Sequence, residues 1–320
     1  MPTPLERMDN LSRLLGGPTL WVKRDDCTGL ATGGNKTRKL EFLIADALEQ
    51  GADTVVTHGA VQSNHVRQTA AAAARYGLRC MALLERRVPG HGEVYDQTGN
   101  VLFDRLFKAA LRFVDAGTDM DGACAAVIEE LKSAGRKPYY IPGGGSNAIG
   151  ALGYVNCALE LIQQAAERDL RIDCVVHGTG SSGTQGGLVA GFEGTQSGID
   201  VLGIGVRQPK DRQEALIHKT ASAAADHLGI RAIERGRVVA NCDYIGEGYG
   251  LPRDDTWEAI RLAAEHEALL LDPVYSGKGM AGLLDLCRKG HFRAGQNVVF
   301  VHTGGAAALP AYLKDIADLA

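Results

Sequence analysis

The sequence predicts an α/β fold with parallel sheets flanked by helices, and three observations carry that prediction. Short β-branched runs alternate with helical patterns along most of the 320 residues, and repeated βα units imply parallel sheets covered on both faces. Glycine is abundant at 41 residues while aromatics make up only 6%, a composition suited to close approach of backbone to a small ligand. The glycine-rich breaks fall where strands hand over to helices, the places where open α/β sheets bind ligands.

The elements follow in order. TLWVKR (19–24) reads as a strand, and 36–50 as a helix with Leu40, Phe42 to Ile44, Ala47 and Leu48 on its apolar side. DTVVTH (53–58) is a strand, 63–76 an alanine-rich helix and RCMALLE (79–85) a strand; a helix at 99–107, strand LRFV (111–114), helix 121–134 and strand PYYI (138–141) continue the series. GGGSN (143–147) breaks the pattern before a long helix through Gln164, which divides the chain near 150. A second series follows: strand DCVVH (173–177), a glycine loop, helix 188–192, strand DVLGIGV (200–206), a helix, and later strand NVVFVH (297–302) with a final helix.

Several function classes are disfavoured at once. A net charge of -4 leaves no electrostatic footprint for nucleic acid or an anionic membrane. The seven cysteines (27, 80, 124, 157, 174, 242, 287) are scattered without a CxxC pair, which favours reduced thiols and no structural zinc; the histidines show no metal-ligand spacing. MPTPLERMDN carries charge where a signal peptide needs an apolar core, and the uncharged run 174–192 is glycine-rich and polar. The expectation is a cytoplasmic protein acting on a small molecule.

Four places look prepared for chemistry. GTGSSGTQGG (178–187) lies between a strand and a helix, with five glycines, four hydroxyl residues and no Lys or Arg. Unhindered N–H groups at a helix N-terminus hold an anion without a cation. GTGSSG also matches the dinucleotide fingerprint, but that motif expects an acid at the end of the next strand, where Val206 and Arg207 stand. A phosphate monoester fits better than NAD(P). Lys36 follows Gly33-Gly34-Asn35; with Asn35 as N-cap, it falls in the first helical turn, where the helix dipole disfavours its charge. A lysine tuned toward the neutral amine suits Schiff-base chemistry with an aldehyde, whereas Lys39 one turn on reads as a surface residue. A ligand with both a phosphate and an aldehyde is pyridoxal 5'-phosphate. In GAVQSNHVRQ (59–68), Ser63, Asn64 and His65 begin a helix and offer N–H groups, a hydroxyl and an amide to a carboxylate. Finally, Tyr275 in DPVYSGKGM, Thr303 in VHTGGAAAL and Tyr249 in GEGYG supply hydroxyls near strand ends.

GGNKTRKLEFL, GAVQSNHVRQTAA, IPGGGSNAIGALGY, GYGLP, DPVYSGKGMAGL and HTGGAAAL together resemble the family of D-cysteine desulfhydrases and aminocyclopropane-carboxylate (ACC) deaminases. This is a branch of the fold-type-II (tryptophan-synthase-β-like) pyridoxal-phosphate enzymes. RDDCTGLATGGNKTRKLEFL, VVANCDYIGEGYG and DPVYSGKG look most like its L-cysteate sulfo-lyases. The resemblance implies a large cofactor-binding domain from 1–40 and 150–320, a small domain from 41–149 inserted within it, and a homodimer. It implies that Lys36 bonds the cofactor, that Ser63 and Asn64 hold the substrate carboxylate and the cofactor's phenolic oxygen beside His65, and that Gly180, Ser181, Ser182, Gly183 and Thr184 form the phosphate loop. Tyr249 and Tyr275 are the implied active-site tyrosines. ACC deaminases carry Glu and Leu where Ser276 and Thr303 stand here. A hydroxyl beside the pyridine nitrogen leaves a milder electron sink, adequate for β-elimination. The implied reaction is β-elimination, with Lys36 as base, Tyr275 in its place for a D-substrate, and Ser63 as a third catalytic group. The first expectation is L-cysteate to pyruvate, sulfite and ammonia, with Arg207 a candidate for the sulfonate; the alternative is D-cysteine to pyruvate, sulfide and ammonia.

Overall fold

The computed structural model describes residues 2–90 and 92–317. Among the described residues ten strands are present: β1 (Leu5–Arg7), β2 (Thr19–Lys23), β3 (Thr54–Ala60), β4 (Arg79–Glu85), β5 (Ala110–Val114), β6 (Pro138–Tyr140), β7 (Cys174–Thr179), β8 (Asp200–Gly205), β9 (Val239–Asn241) and β10 (Asn297–Val301). They form a six-stranded sheet of order β1-β2-β10-β7-β8-β9 and a four-stranded sheet of order β5-β4-β3-β6. Every pairing is parallel except β1 with β2. The smaller sheet is built wholly from 54–140, and the larger one from strands before residue 24 and after residue 173.

Strand periodicity explains why both sheets are covered. Along β10, Val298 and Phe300 enter one core with Leu20, Val176 and Leu283, whereas Val299 and Val301 enter another with Val175, Leu188 and Phe192. Successive side chains point to opposite faces, so a run of apolar residues buries both. The smaller sheet repeats this: Val55 packs with Leu40, Leu43 and Ala70, and neighbouring Val56 with Leu83, Met120 and Val127.

Most expected elements fall within two residues of their places. The glycine loop is the main departure: its helix begins at Gly183 and runs to Gly194, five residues ahead of expectation. Glycine weakens a helix by roughly 1 kcal/mol per residue relative to alanine. Here it is needed, because a Cβ on Gly187 would lie 2.3 Å from the Ala151 carbonyl oxygen and one on Gly191 would lie 2.6 Å from the Ala158 methyl. The helix packs backbone to backbone on Ala148–Ala166. Strands β1 and β9, three residues each, lack the alternation that would announce them.

Candidate active site

The loop before Lys36 is fixed by backbone bonds on both sides. Gly33 N–H donates to Leu30 O, Gly34 N–H to Asp25 O, and Asn35 N–H to Thr303 O at 3.0 Å, while Arg67 Nη2 donates to Gly33 O at 2.6 Å. Gly33 and Gly34 sit at φ +75° and +132°, and a Cβ on Gly33 would overlap the Asp26 carbonyl. Only glycine fits. The helix then starts at Lys36 with Asn35 at the cap position, but the Asn35 side chain does not cap it. Its amide instead donates to Thr184 Oγ1 at 3.0 Å and its oxygen accepts from Lys36 Nζ at 3.1 Å. Burial brings the Lys36 ammonium down to about 8 from 10.5, with Asp272 opposing the shift.

Lys39 is not a surface residue. It is fully buried, donates to Gly144 O at 3.0 Å, and is pushed well below its ordinary value by burial and then by Lys36. Its Nζ lies 2.9 Å from where a Gly183 Cβ would stand. The glycine loop contains no basic residue of its own, yet a lysine amine reaches it from the helix Lys36–Glu49. Gly180, Ser181 and Thr184 line the cavity above Lys36. Ser182 lies behind them, its hydroxyl 2.6 Å from that of Thr220, and Gly183 N–H donates to Ser146 Oγ at 3.0 Å.

On the opposite wall Ser63 caps the helix Asn64–Arg75 by accepting from Val66 N–H at 3.2 Å. Asn64 Oδ1 accepts from Asn100 Nδ2 at 3.0 Å, and His65 Nε2 lies 2.8 Å from Thr57 Oγ1. Burial first, then the charges of Lys36 and Lys39, hold His65 well below its usual range, so its ring is neutral.

The third wall turns on Asp272. This buried carboxylate accepts from the N–H groups of Val274, Tyr275 and Ser276 and from Ser276 Oγ at 2.6 Å. Tyr275 is thereby aimed into the cavity. Its hydroxyl donates to that of Tyr249 at 2.9 Å, and its ring centre is 6.0 Å from Lys36 Nζ. Burial raises both phenols above their ordinary value. Ser276 departs from its expected place: it is fully buried, committed to Asp272, and absent from the cavity wall. Thr303 does line the cavity.

Lys36, Ser63, Asn64, His65, Tyr249, Tyr275 and Thr303 thus surround one cavity with the glycine loop, at the carboxyl ends of β3, β7 and β10. Ser182, Gly183 and Ser276 stand outside its wall. His58, Arg87, Gly143 and Gly144 line it without having been expected. Gly143 and Gly144 belong to GGGSN, which reads in the sequence as a domain crossing and as part of a family motif, with no site role. The residues fit pyridoxal phosphate: a lysine amine brought down to about 8 by burial shares the cavity with glycine-loop and hydroxyl residues, and a Cβ on Gly144 would close the approach by coming within 2.5 Å of Ser181.

The class follows from fold and site together. The pyridoxal-phosphate dependent enzyme family matches residues 1–304, and the chain belongs to it. The dinucleotide alternative falls with that match. Among curated relatives, the D-cysteine desulfhydrase of Salmonella choleraesuis (strain SC-B67) is 45% identical over 311 residues, covering 97% of this chain and 94% of the relative. That of Serratia proteamaculans (strain 568) is 46% identical over 310 residues, covering 97% and 93%. A crystal structure of an ACC deaminase homologue superposes with a TM-score of 0.90 at 37% identity, covering 100% of this chain and 94% of the other. A hydrogen sulfide-producing enzyme of Fusobacterium nucleatum shares the fold, with a TM-score of 0.66 at 16% identity and 96% of each chain covered. No helix among the described residues is long and apolar enough to cross a membrane.

Proposed function

We propose that this pyridoxal-phosphate-dependent carbon–sulfur lyase cleaves D-cysteine to pyruvate, sulfide and ammonia. The full-length similarity to D-cysteine desulfhydrases carries the reading. It favours D-cysteine over L-cysteate, the substrate first expected from the sequence, which no relative reported above carries in its name. Bound in the cavity, pyridoxal phosphate supplies an aldehyde for the substrate amine and a ring that takes up the electron pair left when Cα loses its proton. The chain's own groups do the rest. Ser63, Asn64 and the N–H groups at the start of their helix receive the substrate carboxylate, with His65 as a neutral wall beside them. Gly180, Ser181 and Thr184 hold the phosphate, with Ser182 and Gly183 behind them and Lys39 beneath. Thr303, on the cavity wall, would offer a bound ring a hydroxyl and no permanent charge.

Two groups can move the proton. Lys36, whose ammonium burial brings down to about 8, is one. Tyr275, protonated and hydrogen-bonded to Tyr249, is the other and would serve a D-substrate. The proposal includes the division into a large domain (1–40 and 150–320) and a small one (41–149), with substrate entering between them. Purified protein is offered D-cysteine, L-cysteine, L-cysteate and ACC in parallel. Sulfide and pyruvate in equal amounts from D-cysteine support the reading, and 2-oxobutyrate from ACC with no sulfide from D-cysteine overturns it.

A further inference from the structure

Two helices begin at the cavity, and they are capped in different ways. Ser63, extended at φ −81° and ψ 112°, accepts from Val66 N–H and caps the helix Asn64–Arg75 itself. An N-cap residue needs such a backbone to bring its side chain round to the N–H groups of the first turn. Asn35 has helical angles instead, φ −59° and ψ −20°, and its amide is committed to Thr184 Oγ1 and Lys36 Nζ. The first-turn N–H of Thr37 is met by a side chain from the other helix. It donates to Gln68 Oε1 at 2.9 Å, nearer than its second acceptor, Gly34 O at 3.2 Å. The Thr37 hydroxyl donates to the same oxygen at 3.1 Å, and Gln68 Nε2 donates to Asn64 O at 2.9 Å.

Gln68 is fully buried, and a Cβ on Gly34 would lie 2.5 Å from its Nε2. Its amide therefore presses on the glycine just before Asn35 and Lys36, at a distance that a larger residue would not allow. Competition gives this contact its consequence. Asparagine is among the strongest N-cap residues, and its side chain readily turns to a free N–H nearby. With the Thr37 N–H satisfied from outside, Asn35 keeps its helical backbone and both of its bonds. Without Gln68, Asn35 would be drawn into the cap and would leave Lys36 and Thr184.

We propose that Gln68 is a positioning residue: it caps the Lys36 helix from the neighbouring helix and so leaves Asn35 to tie the Lys36 amine to Thr184 of the glycine loop. This rests on the reading of Lys36 as the group that bonds the cofactor. Because Gln68 is anchored on Asn64 O, one amide holds the amine and the glycine loop in register with the helix start proposed for the substrate carboxylate.

The test follows pyridoxal phosphate by absorbance, through its dissociation constant from holoenzyme and the pH dependence of its uptake by apoenzyme. Gln68→Met keeps the length of the side chain and removes its acceptor, and Gln68→Asn leaves the amide too short to reach. Gln68→Glu is the rescue, since a protonated carboxyl can accept from Thr37 N–H and donate to Asn64 O as the amide does. In Gln68→Met the dissociation constant is expected to rise about tenfold, the worth of one hydrogen bond. The pH midpoint of uptake should fall by about one unit, because an ammonium that loses an acceptor gives up its proton more readily. Gln68→Asn should show the same changes, and carries the test if Gln68→Met does not fold; Gln68→Glu should recover most of both. In an Asn35→Ala background, where both Asn35 bonds are already gone, Gln68→Met should add nothing further. A residue that only supports the fold would lower stability in urea and leave the midpoint in place. An unchanged midpoint or dissociation constant in the Met and Asn variants overturns the inference, as do effects that multiply with Asn35→Ala. Borohydride fixing no cofactor to wild-type holoenzyme would instead remove the reading of Lys36 beneath it.

Discussion

One helix, Lys36–Glu49, carries two kinds of buried cation and treats them in opposite ways. Arg38 donates to both oxygens of Asp25 at 2.9 Å and to Glu160 at 2.8 Å, while Lys23 joins the same cluster through Glu160, Thr3 O and Gln164. Tyr154 donates to Asp25 as well. Burial alone would push Glu160 up, but the hydrogen bonds from Arg38 and Lys23 hold it below its usual value. Lys36 and Lys39, three residues apart and therefore on one face, have instead an amide oxygen and a backbone carbonyl as their partners. The difference teaches how a single element serves two ends. Compensated charge anchors the helix at Arg38, and uncompensated charge two residues before it and one residue after it is left to surrender its proton.

Replacing Lys36 is the harshest test of that contrast. Lys36→Ala is expected to lose at least roughly 10⁴-fold in kcat, since the proposed bonding partner of the cofactor and a proposed proton-transfer group go together. The chromophore that borohydride fixes to the wild type should no longer be fixed. The variant should be no less stable in urea, because removing an uncompensated buried charge does not break a pair. The opposite holds for Asp25→Ala: breaking the buried pair with Arg38, which keeps only Glu160 as a carboxylate partner, should cost about 3–5 kcal/mol in urea unfolding. If Lys36→Ala proved the less stable of the two, the distinction between anchoring and reactive cations would be broken.

A smaller effect sharpens the same point through pH. Lys36 has a folded value of about 8 against 10.5 unfolded, so its charged form is disfavoured in the native state. The associated stability is present above 10.5 and is lost as pH falls through 8. The neutral amine accumulates in the same direction. Uptake of pyridoxal phosphate by apoenzyme, followed by absorbance, should accelerate about tenfold per pH unit up to roughly 8 and then level off. A profile still rising steeply at pH 10 would mean that burial does not tune this lysine.

What could be read ahead of the structure divides along the same line of local against distant causes. Gly33-Gly34-Asn35-Lys36 was legible because its backbone angles demand glycine, and Ser63 was legible because a helix N-cap is a local signal. Lys39 was misjudged because its burial depends on Gly144 and Gly145, more than a hundred residues away. His58 and Arg87 carry no motif; they matter because they sit at or just beyond the carboxyl ends of strands in the sheet that forms the cavity's far wall. The early start of the helix at Gly183 escaped notice because glycine's poor helix propensity masked the small-residue face at Gly187 and Gly191. Ser276 is different. An aspartate accepting from the next few N–H groups is a local turn pattern, and the spacing of Asp272 to Ser276 held that signal.

Lys278 is the intermediate case, and the effect of replacing it should be the smallest. It is fully buried and brought down to about 8 by burial, as Lys36 is, with Asp255 opposing and Arg253 assisting the shift. Unlike Lys36, it is held by the carbonyls of Ile245 and Gly248. The latter immediately precedes Tyr249, and Tyr275 caps the helix Ser276–Arg288 on which Lys278 sits. One helix therefore sets both members of the Tyr249–Tyr275 hydrogen bond. Lys278→Met would strand two carbonyls and should cost about 1–3 kcal/mol of stability. Its effect on kcat should be about tenfold, below the roughly 10²-fold or more expected of a direct proton-transfer group, with cofactor uptake unaltered. A loss of stability with kcat unchanged would assign Lys278 to the anchoring class beside Arg38. A loss of kcat that disappears in a Tyr249→Phe background would show that its charge acts through the phenol it positions.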